Sequence, residues 1–269
     1  MEEILITSKN NVKIKQILGL RKKSRLRKEM GEFLIEGIRE VEKAIAFGIV
    51  VKALFVDKNA LTESDRSWLN KVGQGIEVVN CTPNVMEVIA YKDGGDKVIA
   101  IAKEKFLSKA EFFQRKKQKI PFYLLIEGVE KPGNFGAILR SADAVGVDGV
   151  VICDSPLDLY NPNVIRASLG TCFTVPIWRA TSKEAFDVFR NMGCQIVVTT
   201  PAAEQSYLSY DYALPTVLVF GSEKDGVTSF WLEAPCFKAV IPMVGSVDSL
   251  NLAMSATLIC YEVVRQRGL

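Results

Sequence analysis

Short apolar runs alternate along this chain with segments in which apolar residues recur every three or four positions. The runs are typical of buried strands, and the wider spacing is typical of amphipathic helices. In the first half, the pattern predicts a strand leading into a helix in FLIEGIREVEKAIAFG. It then predicts strand, helix, strand, helix and strand in VKALFVD, ESDRSWLNKVG, IEVVN, TPNVMEVIAY and KVIAIAKEK. We therefore expect a compact α/β domain over residues 1–105.

The second half, residues 120–269, repeats the alternation. Predicted strands are FYLLIEGV, GVVIC, VPIWR, QIVVTTP, TVLVFG and KAVIPM, and predicted helices cover residues 134–145, part of NPNVIRASLGT, SKEAFDVFRNMG, a short segment after Gly226 and the final segment. Apolar strands that alternate with amphipathic helices predict a largely parallel sheet covered on both faces. The polar and basic residues 106–119 between the halves predict a linker.

Composition is that of a globular protein: 269 residues, 48% hydrophobic and 24% charged, enough for two domains. The N-terminus has no apolar signal core, and no run approaches the roughly 20 apolar residues of a membrane span. The six cysteines are widely separated and form no CxxC pair, which favours free thiols over a metal site. We therefore predict a cytoplasmic protein with no membrane segment and no metal.

The chain contains no histidine. Its absence excludes Ser-His-Asp hydrolysis, Cys-His proteolysis, histidine-ligated metals and a histidine general base. Acid–base chemistry in an enzyme of this composition would rest on carboxylates, lysine or arginine.

The positive charge is concentrated in the first half. Residues 1–119 hold 24 Lys and Arg against 16 Asp and Glu, whereas residues 120–269 hold 10 against 15. The densest run, RKKSRLRK, contributes Arg21, Lys22, Lys23, Arg25, Arg27 and Lys28. A charge run alone is often only a solvated face, but this one lies in a domain of the same sign, which favours a nucleic-acid partner.

The run follows a helix-like segment, NVKIKQILGL. Its apolar residues can form one helix face: Val12, Ile14, Ile17, Leu18 and Leu20.

Three glycine-rich turns follow apolar strands and carry polar residues. These residues are Asn134 and Arg140 in the first block, Glu223 in the second, and Ser249 and Asn251 in the third. Neither GxGxxG after the first strand nor GxxxxGK[ST] is present, which argues against dinucleotide and P-loop folds. Ligands of open α/β sheets bind at the carboxyl ends of strands, where these turns are expected.

Each polar residue also has a structural interpretation. Arg140 could be a surface cation on an amphipathic helix, Glu223 could cap the short helix after Gly226, and Ser249 could be the N-cap of the last helix.

Three blocks, NFGAILRSADAVGVDGVVI, FGSEKDG and IPMVGSVDSLNLAMSAT, resemble in order and spacing the motifs of the SpoU (TrmH-like) branch of the SPOUT RNA methyltransferases. The N-terminal half resembles the RNA substrate-binding domain fused to many ribosomal RNA members. The resemblance implies a ribosomal-protein-like α/β domain, then a SPOUT α/β-knot domain with a mostly parallel sheet and a deep trefoil knot. It also implies S-adenosylmethionine as cofactor and a homodimer.

The resemblance implies roles for individual residues. Catalytic positions would be Asn134, Arg140, Glu223, Ser249 and Asn251. Cofactor contacts would come from Thr199, Gly221, Ile241 and Leu250, with their neighbours Thr200, Ser222, Met243 and Ser249. Apart from the resemblance, Arg166 and Ser168 are weaker candidates for RNA contact. A helix N-terminus with an arginine is a ready phosphate site, but it is also a common surface feature.

The implied reaction is methyl transfer to a ribose 2′-hydroxyl of RNA. Arg140 is essentially always protonated, so we expect it to stabilise the developing alkoxide, while Asn134 and Glu223 hold it and the motif loops in place. The motifs do not assign the proton acceptor. Large-subunit ribosomal RNA is the predicted substrate. Transfer RNA is the alternative substrate, and a catalytically silent RNA-binding or ribosome assembly protein is the alternative of another class.

Overall fold

A computed structural model of the chain describes residues 5–91, 97–115 and 118–268. The described residues form two compact units. The first contains the chain up to Lys105 together with Asp158–Thr174, and the second contains Phe106–Leu157 and the chain from Val175.

The strands and helices follow the predicted alternation, with one short strand and three short helices in addition to those predicted. Up to Lys105 they are β1 Leu5–Ile6, α1 Val12–Lys22, α2 Ser24–Met30, β2 Glu32–Glu36, α3 Ile38–Ala46, β3 Val51–Val56, α4 Glu63–Val72, β4 Glu77–Cys81, α5 Pro83–Ile89 and β5 Val98–Lys103. They continue with α6 Lys109–Gln114, β6 Phe122–Glu127, α7 Pro132–Ala144, β7 Gly149–Cys153, α8 Pro162–Ala167, α9 Thr171–Thr174, β8 Ile177–Ala180, α10 Ser182–Asn191, β9 Gln195–Thr199, β10 Thr216–Phe220, α11 Ser229–Glu233, β11 Phe237–Ala239 and α12 Leu252–Arg267.

The sheet of the first unit is mixed, with strand order β1-β4-β3-β5-β2. Strands β1 and β3 run parallel to β4, whereas β5 is antiparallel to both β3 and β2. Helix α1 contributes Ile14, Ile17 and Leu20, spaced three residues apart and fully buried in the core. The predicted apolar face is wrong at Val12, which is 80% exposed in the first turn.

The basic run RKKSRLRK is divided between two helices. Helix α1 ends at Lys22 and α2 begins at Ser24, because Lys23 adopts an extended backbone conformation. Helix α2 ends at Met30 and is capped by Gly31, whose φ of 60° lies in the left-handed region that favours glycine. The cations are therefore divided between two short helices and Lys23 between them, and Arg27 is buried.

Residues 158–174 connect β7 to β8 in sequence but pack in the first unit, whereas the predicted boundaries kept all of 120–269 together. Arg27 donates hydrogen bonds from Nε and Nη2 to Oδ2 of Asp158, at 2.8 and 2.6 Å. The Tyr160 ring stacks on Phe33 with ring centroids 4.1 Å apart, and its hydroxyl accepts a hydrogen bond from the Lys105 backbone N–H. The first unit is thus completed by a segment distant in sequence.

The second unit contains the parallel sheet that the sequence predicts, in the order β11-β9-β10-β6-β7-β8. All of its strand pairs are parallel. The strands carry buried apolar residues and helices separate them along the chain, as is typical of parallel sheets. Helix α12 packs along α7, and the hydroxyls of Ser141 and Thr257 hydrogen bond at 2.6 Å between them.

The segment predicted as a linker contains α6, a helix of the second unit. Ser108 and Glu111 form a capping box at its start. Phe112 is fully buried against Tyr123 and Trp178, and the absence of a side chain at Gly149 leaves room for its ring. Within the described ranges, no helix has both the length and the apolar character needed to span a membrane.

Candidate functional site

The second unit contains a cavity of about 800 Å³ beyond the carboxyl ends of β9, β10 and β11. These strands are neighbours or near neighbours in the parallel sheet, so the segments that follow them emerge at one edge. The cavity is lined by the segments that begin at Thr199, Phe220 and Val240. Its position is the one expected for a ligand site in an open α/β sheet.

The structure brings most of the predicted site residues together here. The cavity lining includes Thr199, Thr200, Gly221, Ser222, Glu223, Ile241, Met243, Ser249, Leu250 and Asn251. Every residue predicted to contact a cofactor is in this set, although these residues belong to three segments far apart in sequence.

A chain of side-chain hydrogen bonds joins the three motifs. Asn251 donates from Nδ2 to Oδ1 of Asn134 at 3.1 Å, and Asn134 donates from Nδ2 to Oε1 of Glu223 at 2.7 Å. Asn251 also caps α12, because its Oδ1 accepts the Ala253 backbone N–H at 2.9 Å. Asn134 therefore fixes the start of α7 to the loop after β10 and to the start of α12.

Two of the structural interpretations of single residues are wrong. The N-cap of α12 is Asn251, not Ser249. Glu223 does not cap α11, since the N-cap is Thr228 and its backbone N–H donates to Oε2 of Glu127 at 2.7 Å. Glu223 instead faces the cavity and accepts the hydrogen bond from Asn134.

The loop after β10 is closed tightly on itself. Ser222 donates its backbone N–H to the Gly226 carbonyl at 2.9 Å, and Gly226 donates back at 3.2 Å. A Cβ at Gly221 would lie 2.0 Å from the Gly226 carbonyl carbon, so no side chain fits there. The closed loop holds Glu223 at the cavity and leaves the Gly221 backbone uncovered by a side chain.

Thr199 has a buried hydroxyl at the cavity wall. Its Oγ1 has no hydrogen-bond partner within the ranges that the structure describes. Buried polar atoms are nearly always hydrogen-bonded, and an unsatisfied one costs about 1–3 kcal/mol. The hydroxyl is therefore a candidate contact for a ligand in the cavity.

Arg140 lies outside the cavity lining. It is exposed on α7, six positions after Asn134, and it has no hydrogen-bond or ion-pair partner among residues 5–91, 97–115 and 118–268. The adjacent Ser141 contacts α12 through Thr257. The structure thus places Arg140 beside the α7–α12 contact, with its guanidinium available to a further molecule.

Four charged residues that the sequence interpretation did not select also line the cavity. They are Lys131, Lys224, Asp225 and Asp248. Each lies within three positions of a selected residue: Lys131 precedes Asn134, Lys224 and Asp225 follow Glu223, and Asp248 precedes Ser249. Their closeness in sequence to the motif residues was the one signal by which they could have been selected.

The predicted RNA-contacting residues lie in the first unit and have different environments. Lys22, Lys23, Arg25 and Lys28 are exposed. Arg21 is half-buried and donates from Nη1 to the Ala90 carbonyl at 2.6 Å. Arg166 is exposed and lies over the Tyr91 ring, 5.3 Å from its centroid.

Two of these predictions need correction. Arg27 is only 1% exposed and is paired with Asp158. Ser168 is fully buried, and its hydroxyl donates to the Ile165 carbonyl at 2.9 Å. Both side chains form hydrogen bonds in the interior of the unit, so they are not available for contact with RNA at its surface.

The cysteines are free thiols, and Cys81, Cys153, Cys194 and Cys260 are buried. Burial raises the pKa of Cys81 to about 11, with a smaller contribution from Asp57. Burial also raises the pKa of Cys153, assisted by Asp154 and Glu127. These thiols stay protonated at neutral pH, so they do not supply nucleophilic thiolates. In the part of the chain that the structure describes, no group of three or more Cys, Asp or Glu side chains could hold a metal ion.

Comparison with known proteins identifies the class. The SpoU rRNA Methylase family matches residues 121–261, and the MRM3-like substrate binding domain matches residues 11–100. The fold and these matches define an RNA methyltransferase with an N-terminal substrate-binding domain. The chain belongs to the SpoU rRNA methylase family, as its three motifs indicated.

Relatives match over nearly the whole chain. A 23S rRNA (uridine(2479)-2'-O)-methyltransferase from Streptomyces viridochromogenes is 33% identical over 260 residues, 93% of this chain and 88% of the relative. A crystal structure of an RNA 2'-O ribose methyltransferase is 33% identical with a TM-score of 0.83, covering 99% of this chain and 100% of that one. The AdoMet-bound rRNA methyltransferase from Sinorhizobium meliloti is 28% identical with a TM-score of 0.84, covering 97% of each chain.

Proposed function

We propose that this protein transfers a methyl group from S-adenosylmethionine to a ribose 2′-hydroxyl of large-subunit ribosomal RNA. The observation that carries the proposal is the cavity at which the loops after β9, β10 and β11 meet, with Asn134 joining Glu223 to Asn251 beside it. Family membership supplies the reaction class. The relative from Streptomyces viridochromogenes is named as a 23S rRNA 2'-O-methyltransferase. Its name supports large-subunit ribosomal RNA as the substrate and the ribose 2′-oxygen as the methylated atom.

The residues of the cavity fit the cofactor. A volume of about 800 Å³ is within the range of small-molecule sites. The unsatisfied Thr199 hydroxyl offers a hydrogen bond, and the open backbone at Gly221 allows close approach. Thr199, Gly221, Ile241 and Leu250 would hold the cofactor, with their neighbours in the same segments. When bound, S-adenosylmethionine supplies an electrophilic methyl group on a sulfonium, from which a neutral thioether is a good leaving group.

The protein's part in the reaction is alignment and charge stabilisation. The Asn251–Asn134–Glu223 chain keeps the cavity loops in register with the start of α7. The Arg140 guanidinium stabilises negative charge as it develops on the ribose O2′. Ser249, in the cavity wall, contributes a hydroxyl beside the same site.

The proposed assembly is a homodimer in which α12 faces the second copy. Met254, Leu258 and Tyr261 are 60%, 38% and 51% exposed, and their spacing of four and three positions forms an apolar stripe on this helix. The helix that carries this stripe packs along α7, which carries Arg140. A second copy that packs on the stripe would exclude water from the surroundings of Arg140. The attraction between the Arg140 guanidinium and a developing negative charge would then be stronger, because the local dielectric constant is lower.

We extend the proposal to a trefoil knot in the C-terminal segment. The connection between β9 and β10 contacts both ends of that segment: the Tyr207 backbone N–H donates to the Val240 carbonyl, and that of Tyr212 donates to Oε1 of Gln266. These contacts support a loop that surrounds the segment leading into α12. Such threading is rare among proteins.

The exposed cations of α1 and α2 support RNA as the substrate, because phosphate contacts dominate protein–RNA affinity. The 23S rRNA methyltransferase from Streptomyces viridochromogenes and the rRNA methyltransferase from Sinorhizobium meliloti match 93% and 97% of this chain, which includes most of the first unit and favours ribosomal RNA over transfer RNA. The proposal places the enzyme in the cytoplasm, where its six thiols would stay reduced.

Calorimetric titration with S-adenosylmethionine tests the cofactor site. We expect saturable binding that is about tenfold weaker in Thr199→Val, which removes one hydroxyl with little change of shape. Thr257→Val is the matched control, because the Thr257 hydroxyl bonds Ser141 between α7 and α12 and does not line the cavity. No binding by the unmodified protein, with or without RNA, would support the silent RNA-binding alternative.

A further inference from the structure

The first unit contains a second polar cavity, distinct from the cofactor cavity. It has a volume of about 570 Å³. Its lining includes Arg21, Lys22, Glu87, Tyr91, Asn161 and Asn163. These residues come from the end of α1, from α5 and the segment after it, and from the start of the 158–174 segment. All belong to the same compact unit.

One wall of this cavity carries fixed positive charge. Arg21 donates from Nη1 to the Ala90 carbonyl at 2.6 Å and lies 3.3 Å from the carbonyls of Val88 and Ile89. These three carbonyls cluster at the end of α5 and hold the guanidinium in place. Lys22, the next residue, is exposed. Among the described residues that line the cavity, Arg21 and Lys22 are positively charged and Glu87 is negatively charged, so positive charge is in excess.

The cavity lining also includes an aromatic ring that is accessible to solvent. Tyr91 is 42% exposed, and the Arg166 guanidinium lies over its ring at 5.3 Å from the centroid. With 42% of Tyr91 exposed beside that guanidinium, the ring offers accessible surface for stacking. An accessible ring beside cations is how proteins bind unpaired bases, because every base has a π face and every nucleotide has a phosphate.

We propose that this cavity holds one unpaired nucleotide of the RNA substrate. The base stacks on Tyr91, and its phosphate lies against Arg21 and Lys22. Its edge meets the Asn163 side-chain amide and Nδ2 of Asn161, whose Oδ1 already accepts the Asn163 backbone N–H at 2.9 Å. Double-stranded RNA keeps its bases stacked in the helix and cannot occupy the site in this way. The inference rests on the proposed function, since it specifies which part of the RNA substrate the first unit takes.

Fluorescence anisotropy with a labelled short single-stranded RNA, and with the same RNA annealed to its complement, tests the stacking contact. We expect Tyr91→Ala to weaken single-strand binding about tenfold, whereas Tyr91→Phe retains the affinity because it keeps the ring. The salt dependence should be unchanged in both variants, since stacking releases no counterions. Duplex binding should change by less than about twofold in Tyr91→Ala. Tyr91→Phe also separates a lost ring from a lost fold.

The phosphate contact has its own test. Lys22→Ala should weaken single-strand binding and reduce the slope of log K against log salt by about 0.7, as expected for one phosphate contact. Lys71→Ala is the matched control, since Lys71 is an exposed lysine of α4 outside the cavity lining. Glu87→Gln should tighten binding by removing a like charge from the phosphate's surroundings.

Three results would overturn the inference: single-strand affinity within about twofold of wild type in Tyr91→Ala, equal losses in Tyr91→Ala and Tyr91→Phe, or equal effects of Lys22→Ala and Lys71→Ala. Calorimetry with S-adenosylmethionine separates this failure from that of the proposed function. A protein that binds the cofactor and methylates RNA, but is insensitive to Tyr91→Ala, contradicts only the nucleotide site. A protein that binds no cofactor, yet needs the Tyr91 ring for single-stranded RNA, contradicts only the methyltransferase proposal.

Discussion

Asn134 donates a hydrogen bond from Nδ2 to Oε1 of Glu223 at 2.7 Å, although the two residues are 89 positions apart. The bond joins the start of α7 to the closed loop after β10, and Asn251 extends it to the start of α12 through Oδ1 of Asn134. A single amide side chain therefore connects all three motifs. Since Asn251 is itself oriented by the Ala253 backbone N–H, the direction of each bond in the chain is defined.

The Asn134–Glu223 bond should be measurable as a coupling in a double-mutant cycle. Hydrogen bonds to charged groups contribute about 1.5–3 kcal/mol, so Asn134→Ala should lower kcat/KM about tenfold or more. Adding Glu223→Ala to that variant should cost little further, because the bond is already lost. Additive losses in steady-state methyl transfer would show that the two side chains act independently.

Arg140 should be required for methyl transfer and dispensable for cofactor binding, because it lies outside the cavity lining. We expect Arg140→Ala to lower kcat at least about 100-fold, the usual effect of removing a group that stabilises transition-state charge. The calorimetric affinity for S-adenosylmethionine should stay within a few-fold of wild type. A fully active Arg140→Ala enzyme would exclude the arginine from the reaction.

The first unit should depend on the buried pair between Arg27 and Asp158. Removing one partner of a buried ion pair leaves an uncompensated charge, so Arg27→Ala should lower the free energy of unfolding by about 3 kcal/mol. Arg25→Ala is the matched control on the same helix: its pair with Glu29 is exposed, and the change should stay below about 0.5 kcal/mol. Chemical denaturation followed by circular dichroism measures both. Equal effects would mean that the Arg27 pair contributes no more than a surface pair.

The α12 stripe should control the oligomeric state. Leu258→Glu places a charge in the proposed interface and should yield monomers in sedimentation velocity, together with loss of methyl transfer. Leu208→Glu is the control, since Leu208 is an exposed leucine of the same unit outside α12. A dimer that persists in Leu258→Glu, or a monomer already in the unmodified protein, would contradict the proposed interface.

Much of the fold follows from local periodicity. The alternation of apolar strands with amphipathic helices predicted the order of elements from β2 to α12, except for the helices α6 and α9, and the spacing of Ile14, Ile17 and Leu20 placed them in the core. Local signals failed where distant packing decided the outcome. Phe112 lies in a basic segment that indicated a linker, but its burial depends on the space beside Gly149.

The same limit applies to the charged residues. Arg27 is indistinguishable in sequence from the exposed cations around it, because its partner Asp158 lies 131 positions away. At the site, the order of the three motifs selected residues that the structure brings together at one cavity. The sequence did not predict that Asn251, and not Ser249, caps α12, because the cap depends on the residue at which the helix begins. Helix boundaries shift by one or two residues with such local competition.

The most direct test of the central claim is methyl transfer to large-subunit ribosomal RNA that lacks its own modifications, with S-adenosylmethionine as donor and the product mapped by nuclease digestion and mass spectrometry. Transfer RNA serves as the competing substrate and Arg140→Ala as the inactive control. We predict a 2′-O-methylated nucleotide in the large-subunit RNA, absent with Arg140→Ala. No methylated product, or a methyl group on a base instead of a ribose, would contradict the account.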